Sequence, residues 1–125
     1  MQEFVNDTIQ DGLYIRYYPN GATEMKIPYV QNVKNGLQIN YYSNGNVDIL
    51  IPFANGLEHG RAYWYYESGT LESAVLFRDG RKNGLGLVYY ESGRLKAKIS
   101  YDDFGTVVRR LDFEEDGTIL KDSHL

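Results

Sequence analysis

Hydrophobic and polar residues alternate along this chain in short runs with a period of two. Leu37, Ile39 and Tyr41 interleave with Gly36, Gln38, Asn40 and Tyr42. Beyond Asn44-Gly45, Val47, Ile49, Ile51 and Phe53 interleave with Asn46, Asp48, Leu50 and Pro52. A period of two belongs to a strand with one buried face, and the glycine-containing break between the runs predicts a hairpin. The same pattern returns along the chain at a fixed interval.

That interval is 24 residues, read from Gly12, Gly36, Gly60 and Gly84, with Val108 in the fifth slot. Tyr17-Tyr18, Tyr41-Tyr42, Tyr65-Tyr66 and Tyr89-Tyr90 keep the same phase, as do Asn20-Gly21, Asn44-Gly45, Ser68-Gly69, Ser92-Gly93 and Asp116-Gly117. A fixed period over nearly the whole length is the mark of a repeat architecture, in which each unit buries its faces against its neighbours. The expected fold is all-β: one elongated, twisted antiparallel sheet in meander order, made of five stacked hairpins at 12–35, 36–59, 60–83, 84–107 and 108–125. The whole of 1–125 reads as one domain, with 1–11 supplying a capping strand through Phe4 and Val5. Ten strands spaced about 4.8 Å apart give a sheet roughly 50 Å long. Twist of about 20° per strand coils it.

Face matching selects the turn. Directly opposed residues in an antiparallel pair project to the same side. A two-residue Asn20-Gly21 turn opposes Tyr18 to Thr23 and mixes the faces. A three-residue Pro19-Asn20-Gly21 loop opposes Tyr17 to Thr23, Ile15 to Met25, Leu13 to Ile27 and Arg16 to Glu24. That loop is a type I turn closed by a left-handed residue, so Gly21, Gly45, Gly69, Gly93 and Gly117 are expected at positive φ. Leu13, Ile15, Tyr17, Met25, Ile27 and their phase-mates then form an apolar core face. The other face mixes Glu24, Lys26, Asp48 and Glu72 with an aromatic row. Longer return connections run through Gln31–Asn35, Asn55–His59 and Asp79–Asn83, and Asp102–Gly105 departs from them as an irregular turn. The charged last unit, with Arg109, Arg110, Asp112 and Glu114, suits an end cap.

Composition narrows the function. Thirteen Lys plus Arg against 17 Asp plus Glu give a net charge of −4. With a pI near 5.1, this argues against nucleic acid as partner and against docking on anionic lipid. The chain has no cysteine, so neither disulfides nor thiolate chemistry enter. No apolar run approaches the roughly 18 residues of a membrane span. No signal peptide is visible, so a cytoplasmic location is the expectation.

Candidate chemistry is thin. His59 and His124 are the two histidines, and they do not share a phase, so neither a metal site nor a Ser–His–acid arrangement is expected. Asp103-Phe104-Gly105 matches a fragment of the kinase signature with nothing else of that set present. Glu67, Glu91 and Glu115 fall on equivalent hairpin positions and read as solvated loop acids rather than paired catalytic carboxylates. No catalytic, cofactor-binding or metal-ligating residue is therefore expected, and the chain is read as a non-enzyme. A hydrolase using Glu67 or Glu91 is the least favoured reading. The binding candidates are Tyr14, Tyr18, Tyr42, Trp64, Tyr66, Glu72 and Tyr90, because Tyr and Trp are enriched at interface hot spots. Cross-strand packing that stabilises the sheet is the other role for the same aromatic side chains, and the two are compatible.

The segments Asn83-Gly84-Leu85-Gly86-Leu87-Val88-Tyr89-Tyr90-Glu91-Ser92-Gly93-Arg94-Leu95 and Gly60-Arg61-Ala62-Tyr63-Trp64-Tyr65-Tyr66-Glu67-Ser68-Gly69-Thr70-Leu71 resemble the MORN-repeat variant. Tyr41 to Gly45 does so too, and the resemblance covers about residues 12 to 118. Bacterial chains built from this variant are similar to YwqK-type antitoxin or immunity proteins. The resemblance implies a protein that binds and silences a cognate toxin, with no catalytic residues to carry over. The alternative it implies is a protein-interaction scaffold. Separately, a single layer leaves the apolar face uncovered, so a second copy, a partner or the chain ends are expected to cover it, a second copy giving a self-association module or homodimer.

Overall fold

The computed structural model describes residues 11–125. They form a single open antiparallel sheet, and no helix occurs among them. Five hairpins follow one another: β1 (Gly12–Tyr17) with β2 (Thr23–Val30), and β4 (Gly36–Tyr41) with β5 (Val47–Ala54). Next come β7 (Gly60–Tyr65) with β8 (Leu71–Arg78), β9 (Arg81–Tyr89) with β10 (Leu95–Tyr101), and β11 (Val107–Phe113) with β12 (Ile119–His124). Two-residue strands β3 (Val33–Lys34) and β6 (Leu57–Glu58) pair with β2 and β5 in the return connections. The capping strand expected from Phe4 and Val5 lies outside the described residues.

The hairpin tips have the predicted form. Tyr18 N donates to Ala22 O at 2.8 Å and Gly21 N to Tyr18 O at 2.9 Å, which closes a three-residue loop. Gly21 has φ 89°, and Gly45, Gly69, Gly93 and Gly117 lie between 92° and 100°. Side chains brace several of these loops: Asn20, Asn44 and Asp116 each accept from the backbone N–H two residues on.

One pair beyond the tip, the register departs from the prediction. Tyr17 opposes Thr23 as expected, but Arg16 opposes Met25 and Tyr14 opposes Ile27. Glu24 is the extra residue of a β-bulge, which places two residues of one strand against one of its partner. The same slip recurs at Asp48, Glu72, Lys96 and Leu120 in the later hairpins. Because side chains alternate with a period of two, one inserted residue moves the whole returning strand to the other face.

The single apolar core face therefore does not form. Met25, Ile27, Ile49, Ile51, Val75 and Ile99 share a face with Tyr14, Ala62 and Trp64. Leu13, Ile15, Leu37, Ile39 and Leu87 lie on the opposite face with Lys26, Pro28, Pro52 and Lys98. Burial leans towards the Trp64 face, with Ala74 the one buried apolar residue on the other side among the described residues. Ile27, Ala62, Val75, Ala97 and Ile99 are buried on the Trp64 face, whereas Leu13, Leu37 and Leu85, placed in the core by the predicted register, are 37%, 45% and 47% exposed.

The return connections also differ from the simple loops expected. They are tight two-residue turns at Gln31-Asn32, Asn55-Gly56 and Asp79-Gly80, with positive φ at all six positions, as a primed hairpin turn requires. Neighbouring turns are joined: Gly56 N donates to Lys34 O at 2.8 Å and Gly80 N to Glu58 O at 2.9 Å.

The phased glycines mark a kink after these turns. Gly36 and Gly60 have φ of 116° and 119°, and a Cβ on either would meet a proline Cγ (Pro28 or Pro52) at 3.0 Å. Val108 holds the fifth slot without a positive φ. The segment around Asp103-Phe104-Gly105 is a three-residue loop of the tip type, closed by Asp102 N to Thr106 O and Gly105 N to Asp102 O. What looked irregular is a regular loop on the other edge of the sheet, and β11 pairs with β10 directly.

Candidate functional site

Four of the proposed aromatic residues join the hairpins to one another. Tyr42 Oη donates to Tyr65 O at 2.5 Å, Tyr66 Oη to Tyr89 O at 2.6 Å and Tyr90 Oη to Phe113 O at 2.6 Å. Tyr18 Oη makes the equivalent bond to Tyr41 O. Each tyrosine sits just past the end of an outgoing strand and reaches across to a carbonyl of the following hairpin. The ladder satisfies carbonyls where strand pairing has stopped, so these side chains stabilise the stack. The spacing of the row is also the spacing of these bonds.

Tyr42 and Tyr66 feel both burial and nearby acids. Partial desolvation, then the Asp48 carboxylate and the charges of Glu72 and Glu67, push the Tyr42 phenol from its ordinary 10.0 up to about 12. Burial first, then Glu72 and Glu91, raise Tyr66. A folded-state pKa above the unfolded value means that the folded state holds its proton more tightly. The stability contributed is complete below pH 10.0 and drains away as pH climbs through about 12. Alkaline unfolding followed by circular dichroism should accordingly fall off steeply across this window. Tyr42→Phe is expected to flatten that loss while lowering stability at neutral pH.

Trp64 and Glu72 belong to a different feature. With Val75, Lys82, Ile99 and Tyr101 they line an open hollow of about 250 Å³ on the Trp64 face. Trp64 packs tilted against Phe77, with ring centroids 6.5 Å apart. Lys82 Nζ lies 5.6 Å from the centre of the Tyr101 ring. Gly86 belongs to the lining, and a Cβ there would meet Tyr101 Cε2 at 3.1 Å. Tyr14 stands on the same face, in the first hairpin, opposite Ile27.

The hollow has a cause in the repeat. Positions 14, 38, 62, 86 and 110 hold Tyr, Gln, Ala, Gly and Arg, so side-chain size reaches its minimum at Gly86. Positions 73 and 97 hold Ser and Ala where other units carry Met25, Ile49 and Lys121. Of these small residues, Ser73 and Gly86 line the hollow together with the larger Trp64 and Tyr101, while Ala62 and Ala97 are fully buried. Sequence reasoning selected Trp64 and Glu72 but missed Lys82, Gly86 and Tyr101. Reading each repeat position down the five units would have exposed the run of small residues.

Among the described residues, no group of three His, Cys, Asp or Glu side chains is placed to hold a metal ion. His59 Nδ1 instead accepts the Asp79 N–H at 3.3 Å. In the last hairpin Arg109 grips Asp122 through two bonds of 3.1 and 3.0 Å, which lowers the Asp122 pKa. Arg110 pairs with Asp112 at 3.0 Å. No helix among the described residues is long and apolar enough to cross a membrane.

The described residues form a one-layer sheet of phased hairpins tied by a tyrosine ladder, which defines a β-repeat protein. The MORN repeat variant family model matches residues 10–31, 34–55, 58–79 and 82–103, and the chain belongs to that family. The fifth hairpin, without the phased glycine, lies beyond those matches. No curated protein matches the sequence. Among solved structures, the chain is similar to part of a crystal structure of accessory secretory protein 1, 2 and 3 in Streptococcus pneumoniae. That likeness has 17% identity and a TM-score of 0.36, and covers 94% of this chain but only 22% of that one. At this level it carries no argument about function.

Proposed function

We propose that the protein is a non-catalytic binding module whose Trp64 face receives a partner protein, and that the partner is a toxin it silences in the bacterial cytoplasm. The hollow between the third and fourth hairpins is the observation that carries the binding reading. It combines Trp64 and Tyr101 with one acid and one base on rigid strands, the composition of an interface anchor site. An acidic chain of net charge −4 gains association rate against a basic toxin through charge complementarity. The toxin-silencing reading further draws on the resemblance to antitoxins of this repeat class.

Affinity capture with the tagged chain from its native cells, followed by mass spectrometry, tests the proposal. The expected result is one stoichiometric partner that arrests growth when expressed alone and ceases to do so when the chain is co-expressed. Recovery of the chain bound only to itself would favour the scaffold reading. The exposed Leu13, Leu37 and Leu85 on the opposite face give that alternative its apolar surface.

A further inference from the structure

We infer that the hollow takes an arginine side chain of the partner, with the guanidinium seated between the Glu72 carboxylate and the Trp64 indole. The identity of the ligand as a protein rests on the binding function proposed above; the preference for a cation rests on the sheet itself.

The repeat twice shows an arginine paired with a carboxylate on this same face. In the first hairpin, Arg16 Nε lies 3.3 Å from the bulge residue Glu24. In the last, Arg110 Nε lies 3.0 Å from Asp112. Glu72 is the bulge residue of the third hairpin, in phase with Glu24, and the position in phase with Arg16 is occupied by Trp64. The internal cation has been replaced by an aromatic ring. Among the described residues, no cation lies within ion-pair distance of Glu72. Position 86, in phase with Arg110, is glycine, so no side chain projects into the space from that strand position.

The lining holds one cation of its own, Lys82, and it makes no ion pair with Glu72. Lys82, the cation of the hollow, lies over the Tyr101 ring. A planar guanidinium stacks on an indole while its N–H groups bond a carboxylate, a combination for which arginine is better suited than lysine. A volume of about 250 Å³ lies below the roughly 300–1,000 Å³ of sites that enclose a small molecule, and suits one long side chain.

Trp64 is the single tryptophan, so its indole N–H signal in a two-dimensional NMR spectrum reports on the hollow alone. Titration with acetyl-Gly-Arg-Gly-amide should move that signal saturably. The neutral citrulline peptide should bind roughly tenfold more weakly, as should the arginine peptide to Glu72→Gln. Gly86→Gln, which fills the space without changing charge, should also abolish the shift and serves as a second check if Glu72→Gln alters the fold. Equal binding of the citrulline peptide, a preference for acetyl-Gly-Glu-Gly-amide, or no saturable shift by about 10 mM would overturn the inference. A captured partner whose affinity is indifferent to Glu72→Gln would overturn it while leaving the binding function standing. Conversely, arginine-peptide binding without any captured partner would support the site and count against the binding function.

Discussion

Tyr66→Ala should cost about 3 kcal/mol of folding stability, and Tyr66→Phe about 1 kcal/mol. The phenylalanine variant keeps the ring and loses only the hydroxyl, which donates to Tyr89 O at 2.6 Å. Its cost is that of one hydrogen bond whose acceptor is left partly unsatisfied. Alanine also removes the ring that spans two hairpins, at the low end of the range for deleting a buried aromatic because Tyr66 is only half-buried. The location enlarges the consequence. In a stacked repeat each unit touches only its neighbours, so weakening a central interface uncouples the two ends. Chemical unfolding should show a lower midpoint for both variants and, for Tyr66→Ala, a shallower transition as the two ends melt separately. An alanine variant as stable as the wild type would refute the structural role of the ladder and return these tyrosines to the binding surface.

The period of 24 residues, the loop type and the five tip glycines were all legible in the sequence because each depends on local chain geometry. Positive φ at a hairpin tip asks for glycine, and the repeat displays that demand five times over. The bulge was not legible in the same way. Glu24, Asp48 and Glu72 alternate with their neighbours as ordinary strand residues do, and an extra residue shows itself only once the partner strand is paired. One unseen residue per hairpin was enough to divide the expected core face between two sides of the sheet.

The site divided in a related manner. Trp64 and Glu72 were found as an aromatic and an acid on the mixed face, and both line the hollow. Tyr18, Tyr42, Tyr66 and Tyr90 meet the same criterion, and their hydroxyls bond the following hairpin. Residue type and spacing cannot separate these roles, because a hydroxyl that reaches a carbonyl 23 residues on is a property of the assembled sheet. Gly86 and Ser73 are the small residues of the hollow's lining, and glycine in a repeat first suggests a turn.

Filling the hollow is the second large effect. Gln38 stands at the position in phase with Gly86, so the repeat already accommodates glutamine there. The introduced Cβ would meet Tyr101 Cε2 at 3.1 Å and Val75 Cγ2 at 3.5 Å, so the half-buried Tyr101 ring must give slightly. The fold should survive while the space beside Trp64 closes. An anchor side chain excluded from its pocket typically costs 2 kcal/mol or more, about a 30-fold loss of affinity. The tyrosine ladder and the bulges lie outside the change, so unfolding of Gly86→Gln should match the wild type to within about 1 kcal/mol.

The most direct measurement is therefore isothermal titration of the captured partner into wild-type protein and Gly86→Gln. A loss of about 30-fold or more, with unfolding unchanged, would place recognition in the hollow of the Trp64 face. Unchanged affinity in a folded Gly86→Gln protein would contradict the account and move the partner to the opposite face or to an edge of the sheet.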